Sequence, residues 1–138
     1  MPSTLKIASA HGTAWLTFRI LSENEEGKAF SVAAAFGPFS GSVMSTTYFA
    51  GSPAALFVDA AKHWRGWTGA KSWQAIDGEL TLTLSMDNLG HCRLSVSMID
   101  GEERLDGSIH LEAGQLESVA HSITDLFGEA SSLGRTIR

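Results

Sequence analysis

The sequence predicts an α+β fold: one antiparallel sheet of about six to seven strands with two helices packed on it, in the order β-β-β-β-α-β-β-β-α. Three observations predict it. Apolar residues recur with a period of two in two blocks, residues 14–49 and 80–111. A helix start with helical apolar spacing separates the blocks. A second helical pattern follows the later one.

Taken in order, residues 4–8 alternate through Leu5 and Ile7 and form a short edge strand. His11-Gly12 is a turn. Leu16, Phe18 and Ile20 then share one face, with Thr17 and Arg19 on the other. The polar run 22–27 ends in Gly27 and reads as a hairpin loop. Phe30, Val32, Ala34 and Phe36 alternate after it. Gly37-Pro38 marks the next turn, and 39–49 is rich in the Ser, Thr, Val and Tyr of strands. Ser52 can cap the first free amides of a helix, and Pro53 suits a first helical position. Leu56, Ala60 and Trp64 form its stripe, with Phe57, Ala61 and Trp67 beside them, and Gly66 or Gly69 ends it.

The second block is the clearer one. Leu80, Leu82, Leu84 and Met86 alternate with Thr81, Thr83 and Ser85. Cys92, Leu94, Val96 and Met98 alternate with Arg93, Ser95 and Ser97. Leu105, Ile109 and Leu111 alternate with Asp106, Ser108 and His110. Pairing about the two turns aligns Ser85 with Arg93 and His110, Thr83 with Ser95 and Ser108, and Thr81 with Ser97 and Asp106. Leu116, Val119, Ala120, Ile123, Leu126 and Phe127 trace an amphipathic helix closed by Gly128. Residues 1–129 make a single domain, and 130–138, without periodicity, a flexible C-terminal tail. No internal repeat is visible.

A chain of 138 residues with 43% apolar and 18% charged content can bury a core without disulfide or metal support. The net charge of −5, with ten Lys and Arg, argues against nucleic acid as a partner. Cys92 is the single cysteine, so no internal disulfide can form and a reducing, cytoplasmic setting is expected. The N-terminus lacks a secretory pattern, and no apolar run reaches membrane-spanning length.

Chemistry-bearing constellations are few. The five histidines show no metal-ligand spacing, and His110-Leu-Glu112 lacks the cysteine half of a zinc deaminase signature. Alternation places Cys92 on the apolar face, where a thiol is inert. No catalytic residue, cofactor or metal is expected. An enzyme reading would require Arg93, His110 and an acidic side chain to surround one cleft. Trp64, Trp67 and Trp73 are expected to clamp the helix onto the sheet; alternatively they line a small-molecule pocket. The remaining candidates are surfaces. The polar sheet face carries Arg93, Asp106 and His110, and two acidic loops carry Glu23, Glu25 and Glu26, and Glu102 and Glu103. Together these suit a protein partner of basic charge. An unpaired edge at 4–8 leaves a homodimer open.

The segment Trp64-Arg-Gly-Trp67-x-Gly-x-x-x-Trp73, with Leu89-Gly-His91 and Leu111-Glu-Ala-Gly-Gln-Leu116, resembles a group of small, uncharacterised bacterial proteins. That resemblance covers residues 50–120 and implies no catalytic residues. Proteins of this size, acidity and architecture look like immunity proteins, which bind and neutralise a partner toxin. A non-enzymatic protein-interaction domain of that type is the function expected.

Overall fold

The computed structural model describes residues 3–128; the expected tail, 130–138, lies outside the described residues. The first half comprises β1 (Thr4–Ala8), β2 (Trp15–Asn24), β3 (Gly27–Phe36), β4 (Phe39–Thr46) and α1 (Ala54–Lys62). The second comprises β5 (Lys71–Gln74), β6 (Leu80–Met86), β7 (Cys92–Asp100), β8 (Glu103–Leu111) and α2 (Ala113–Phe127).

The expected single sheet does not form. The strands make two four-stranded antiparallel sheets, ordered β1-β2-β3-β4 and β5-β6-β7-β8, so a ββββα unit occurs twice. Two physical reasons separate expectation from structure. First, β5 has only four residues, too few for alternation to register, and three of them lie inside the tryptophan motif. Second, each sheet has one apolar face, and a nine-residue α1 covers too little of it. The sheets therefore cover one another. The repeat is one of architecture, without sequence similarity between the halves.

The contacts between sheets show how they cross. Ser45 of β4 donates its hydroxyl to a Glu79 carboxylate oxygen just ahead of β6, at 2.6 Å. Gly41, further back along β4, faces Leu105 of β8. Phe36, at the end of β3, lays its ring where a side chain on Gly107 would stand. β4 therefore traverses the ends of β6, β7 and β8 instead of running along one of them. Inward residues from both sheets join one continuous core that includes Phe18, Phe30, Val32, Leu82, Leu94 and Val96.

The helices close this core. Phe127, at the end of α2, meets Phe18 and Phe30 edge-to-face at ring separations of 5.8 and 5.0 Å. Trp73 of β5 approaches Phe30 at 6.3 Å. Such aromatic pairs add about 0.5–1.5 kcal/mol each beyond simple burial. The two helices also pack on one another, α1 touching β5 and α2 touching β1. Ser52 accepts the Ala54 amide at 3.0 Å, but Pro53, expected as the first helical residue, takes the N-cap position of α1 itself. The helix ends at Lys62, a turn earlier than Gly66, because the His63 amide already turns back to the Ala60 carbonyl at 3.0 Å.

The Phe36–Gly107 contact yields a direct test. Gly107→Ala places a methyl against the Phe36 ring and should lower stability in urea by ~2 kcal/mol, within the usual cost of overpacking. Phe36→Leu in the same chain should restore part of the loss. Wild-type stability in the single variant would contradict the contact.

Candidate functional site

The most chemically varied concavity is a cleft of about 440 Å³ at one end of the second sheet. Three segments build it. The first is the sheet itself, where Arg93 of β7 stands between Ser85 of β6 and His110 of β8 in register. Alternation turns all three outward, while neighbouring Met86, Cys92 and Leu111 face inward, Cys92 and Leu111 buried beneath the cleft and Met86 half-buried at its floor.

The second segment is the β6–β7 turn. One Asp87 carboxylate oxygen accepts the amides of Leu89 and His91 at 2.8 and 2.9 Å. The other lies 3.1 Å from His91 Nδ1. The His91 amide foremost, with the Leu89 amide and the His91 ring, holds the Asp87 carboxyl below its ordinary range. The carboxylate thereby fixes both the turn and one imidazole.

The third segment comes from the other half of the chain. Ala10 donates its amide to the His110 carbonyl at 2.7 Å, and Ser9 Oγ accepts the His110 amide at 3.1 Å. This short seam brings His11 to Glu112, with Nε2 and the carboxylate 3.4 Å apart. Glu112 in turn precedes α2, where Gln115 accepts its amide at 3.3 Å and donates to the Ala8 carbonyl at 2.6 Å. The last bond occupies one carbonyl of the β1 edge. Arg93, His110, Asp87 and Glu112 therefore border one cleft, the arrangement that an enzyme reading required. Among the described residues, no three of His, Cys, Asp and Glu stand in a metal-binding group.

The polar face beside the cleft forms as the alternation predicts. Ser72, Thr83, Ser95 and Ser108 make one row across four strands, and Gln74, Thr81, Ser97 and Asp106 the next. Ser72 and Thr83 hydroxyls lie 3.1 Å apart. Arg104 Nε donates to Asp106 at 2.7 Å, and this bond, then the Ser97 hydroxyl, holds the Asp106 carboxyl low.

The tryptophans do not act as one clamp. Trp73 is 6% exposed in the core and donates its indole N–H to the Gly51 carbonyl at 3.0 Å. Trp67 is half-buried, with the Lys71 ammonium 5.5 Å from its ring, and Lys71 itself bonds Asp59 of α1 at 2.8 Å. Trp64 lies past the helix, 50% exposed, beneath the Arg65 guanidinium. None of the three lines this cleft or the other main concavities of the described surface.

The acidic loops are also separate. Glu102 sits in the β7–β8 turn and Glu103 opens β8, lining one concavity with Pro38 and with Phe39 at the start of β4. Glu23, Glu25 and Glu26 lie at the opposite end of β3. The ten residues of that strand span about 30 Å, so the two loops are not one patch.

A family model described as a family of unknown function, DUF6228, matches residues 7–130, most of the chain. The chain belongs to DUF6228. No curated protein matches this DUF6228 member by sequence. A solved structure of Trypanosoma bruciei MRP1/MRP2 is similar to it in fold, with a TM-score of 0.53 over 91% of this chain and 84% of that one. Identity is 8%, so the likeness is one of fold alone.

Sequence reasoning about the DUF6228 member missed His11, Asp87, His91 and Glu112 as a group. The Asp87–His91 pair had a local signal, an Asp that can fold back on the amides of a hairpin turn. The His11–Glu112 approach had none, because 101 residues separate the seam's own partners. Cys92 stands at the cleft floor yet is 1% exposed, and burial pushes its thiol up to about 11. The native protein should therefore react with a disulfide reagent at pH 8 only as fast as it opens, and stoichiometrically once unfolded. Rapid labelling of the folded chain would place the thiol within reach of the cleft.

Proposed function

We propose that this DUF6228 member is a protein-interaction domain that docks a partner on the outer face of its second sheet. The observation that carries this reading is the pair of in-register polar rows, Ser72/Thr83/Ser95/Ser108 and Gln74/Thr81/Ser97/Asp106. Four strands hold these side chains in fixed register. Ordering them on contact costs little conformational entropy, which favours association by a flat surface. Arg93 and His110, with Asp87 and Glu112 bordering them, stand at one end of the face, and Asp106, paired with Arg104, stands at the other. Glu102 and Glu103 extend the Asp106 end; Glu23, Glu25 and Glu26 lie on the other sheet and outside this surface.

The more specific form of the reading is an immunity-type protein that binds and neutralises a toxin. Its support is the net charge of −5 and the carboxylates at the Asp106 end, which would steer a basic partner. A cytoplasmic setting accords with the lone, buried Cys92.

Purified protein encoded by the neighbouring gene is the natural test partner. Titration should show saturable binding that weakens with salt. Thr83→Arg combined with Ser95→Arg should weaken it by about tenfold or more while leaving thermal unfolding unchanged. Undiminished binding in that variant, with loss in a chain carrying Ser31→Arg and Ser42→Arg on the first sheet, would overturn the assignment of the face.

A further inference from the structure

We propose that the cleft at the seam between the two halves is a binding site for a small organic anion, carrying a carboxylate or phosphate on a compact apolar body. The cation comes first. Among the described residues, Arg93 enters no ion pair, although two carboxylates border the same cleft. Each of those carboxylates is engaged elsewhere: Asp87 by the amides of its own turn and the His91 ring, Glu112 by His11. The guanidinium is left with its donors free. Its planar fork matches the paired oxygens of a carboxylate or phosphate, a match an ammonium does not make.

The neighbours suit the same charge. Ser85 and His110 flank Arg93 in register, one on each side, and both can present a donor to an oxygen held by the guanidinium. The floor is of different character. Half-buried Met86 offers apolar surface there, so the ligand should carry more than a bare oxyanion. A volume of about 440 Å³ accommodates such a molecule and falls within the range of small-ligand sites. The site is assembled from both halves, since His11 and the Ser9–Ala10 seam close one side of it.

This site adjoins the docking face at its Arg93–His110 end. Docking is read by the Thr83 and Ser95 variants, ligand binding by Arg93, so either reading can fail alone. The experiment is a ¹⁵N NMR titration of the full chain at constant ionic strength with phenyl phosphate, benzoate and inorganic phosphate. Phenyl phosphate or benzoate should produce saturable shifts at the Met86, Arg93 and His110 amides, and the stronger of the two names the oxyanion. Inorganic phosphate, lacking the apolar body, should bind more weakly. Arg93→Gln should weaken binding about tenfold, the loss of one charge-assisted fork. Arg104→Gln, on the same sheet at its far end, should change it less than about twofold. If Arg93→Gln fails to fold, His110→Gln serves in its place, with an expected loss of about threefold. Absence of saturable shifts up to about 20 mM of either aromatic anion would overturn the proposal. So would an equal effect of Arg93→Gln and Arg104→Gln, or tighter binding of inorganic phosphate than of both aromatic anions.

Discussion

Each sheet of this protein has one apolar face and depends on the other to cover it. α1 is nine residues long and α2 fifteen, too little helix to shield both sheets. The core therefore forms where the sheets meet, and the small residues there are constraints, not accidents. Gly107 leaves room for the Phe36 ring, and Gly41 leaves room for Leu105. A side chain at Gly107 would collide with the Phe36 ring, so one of the two must shift. The aromatic group of Phe18, Phe30, Trp73 and Phe127 then ties a helix and both sheets into the same packed unit.

The cleft is a consequence of that packing. Once the sheets cross, the β1–β2 turn falls beside the end of β8, and the Ala10 amide and Ser9 hydroxyl complete the exposed edge at His110. His11 is carried to Glu112 by the same seam. A surface assembled in this way combines residues that no local pattern would bring together. It holds Arg93 without a carboxylate partner while two carboxylates stand nearby, each already committed. The flat hydroxyl face next to it has the opposite character, being the product of strand alternation alone.

That contrast explains what was legible in the sequence. Strand alternation carries its own register, so the rows through Thr83, Ser95 and Ser108 followed from the turns between β6, β7 and β8. The helix start at Ser52-Pro53 and the burial of Cys92 are equally local and equally visible. The number of sheets is not, because alternation reports which face is apolar and not what covers it. β5 carries no strand signal of its own because three of its four residues belong to a motif dominated by indoles. The tryptophans differ for a related reason: helical spacing places Trp64 and Trp67 together, yet the chain leaves the helix at Lys62, Trp73 is buried in the core and half-buried Trp67 packs against its margin. Glu23–Glu26 and Glu102–Glu103 looked alike in composition, but the length of β3 lies between them.

A fold built from two similar halves could in principle open one half at a time. A shared core forbids it, since exposing either sheet strips the apolar cover from the other. Native-state amide hydrogen exchange tests this most directly. The amides of Phe18 and Val32 in the first sheet and of Leu82 and Leu94 in the second should open with one common free energy, equal to that of global unfolding. Earlier opening of either sheet while the other stayed protected would contradict the single shared core.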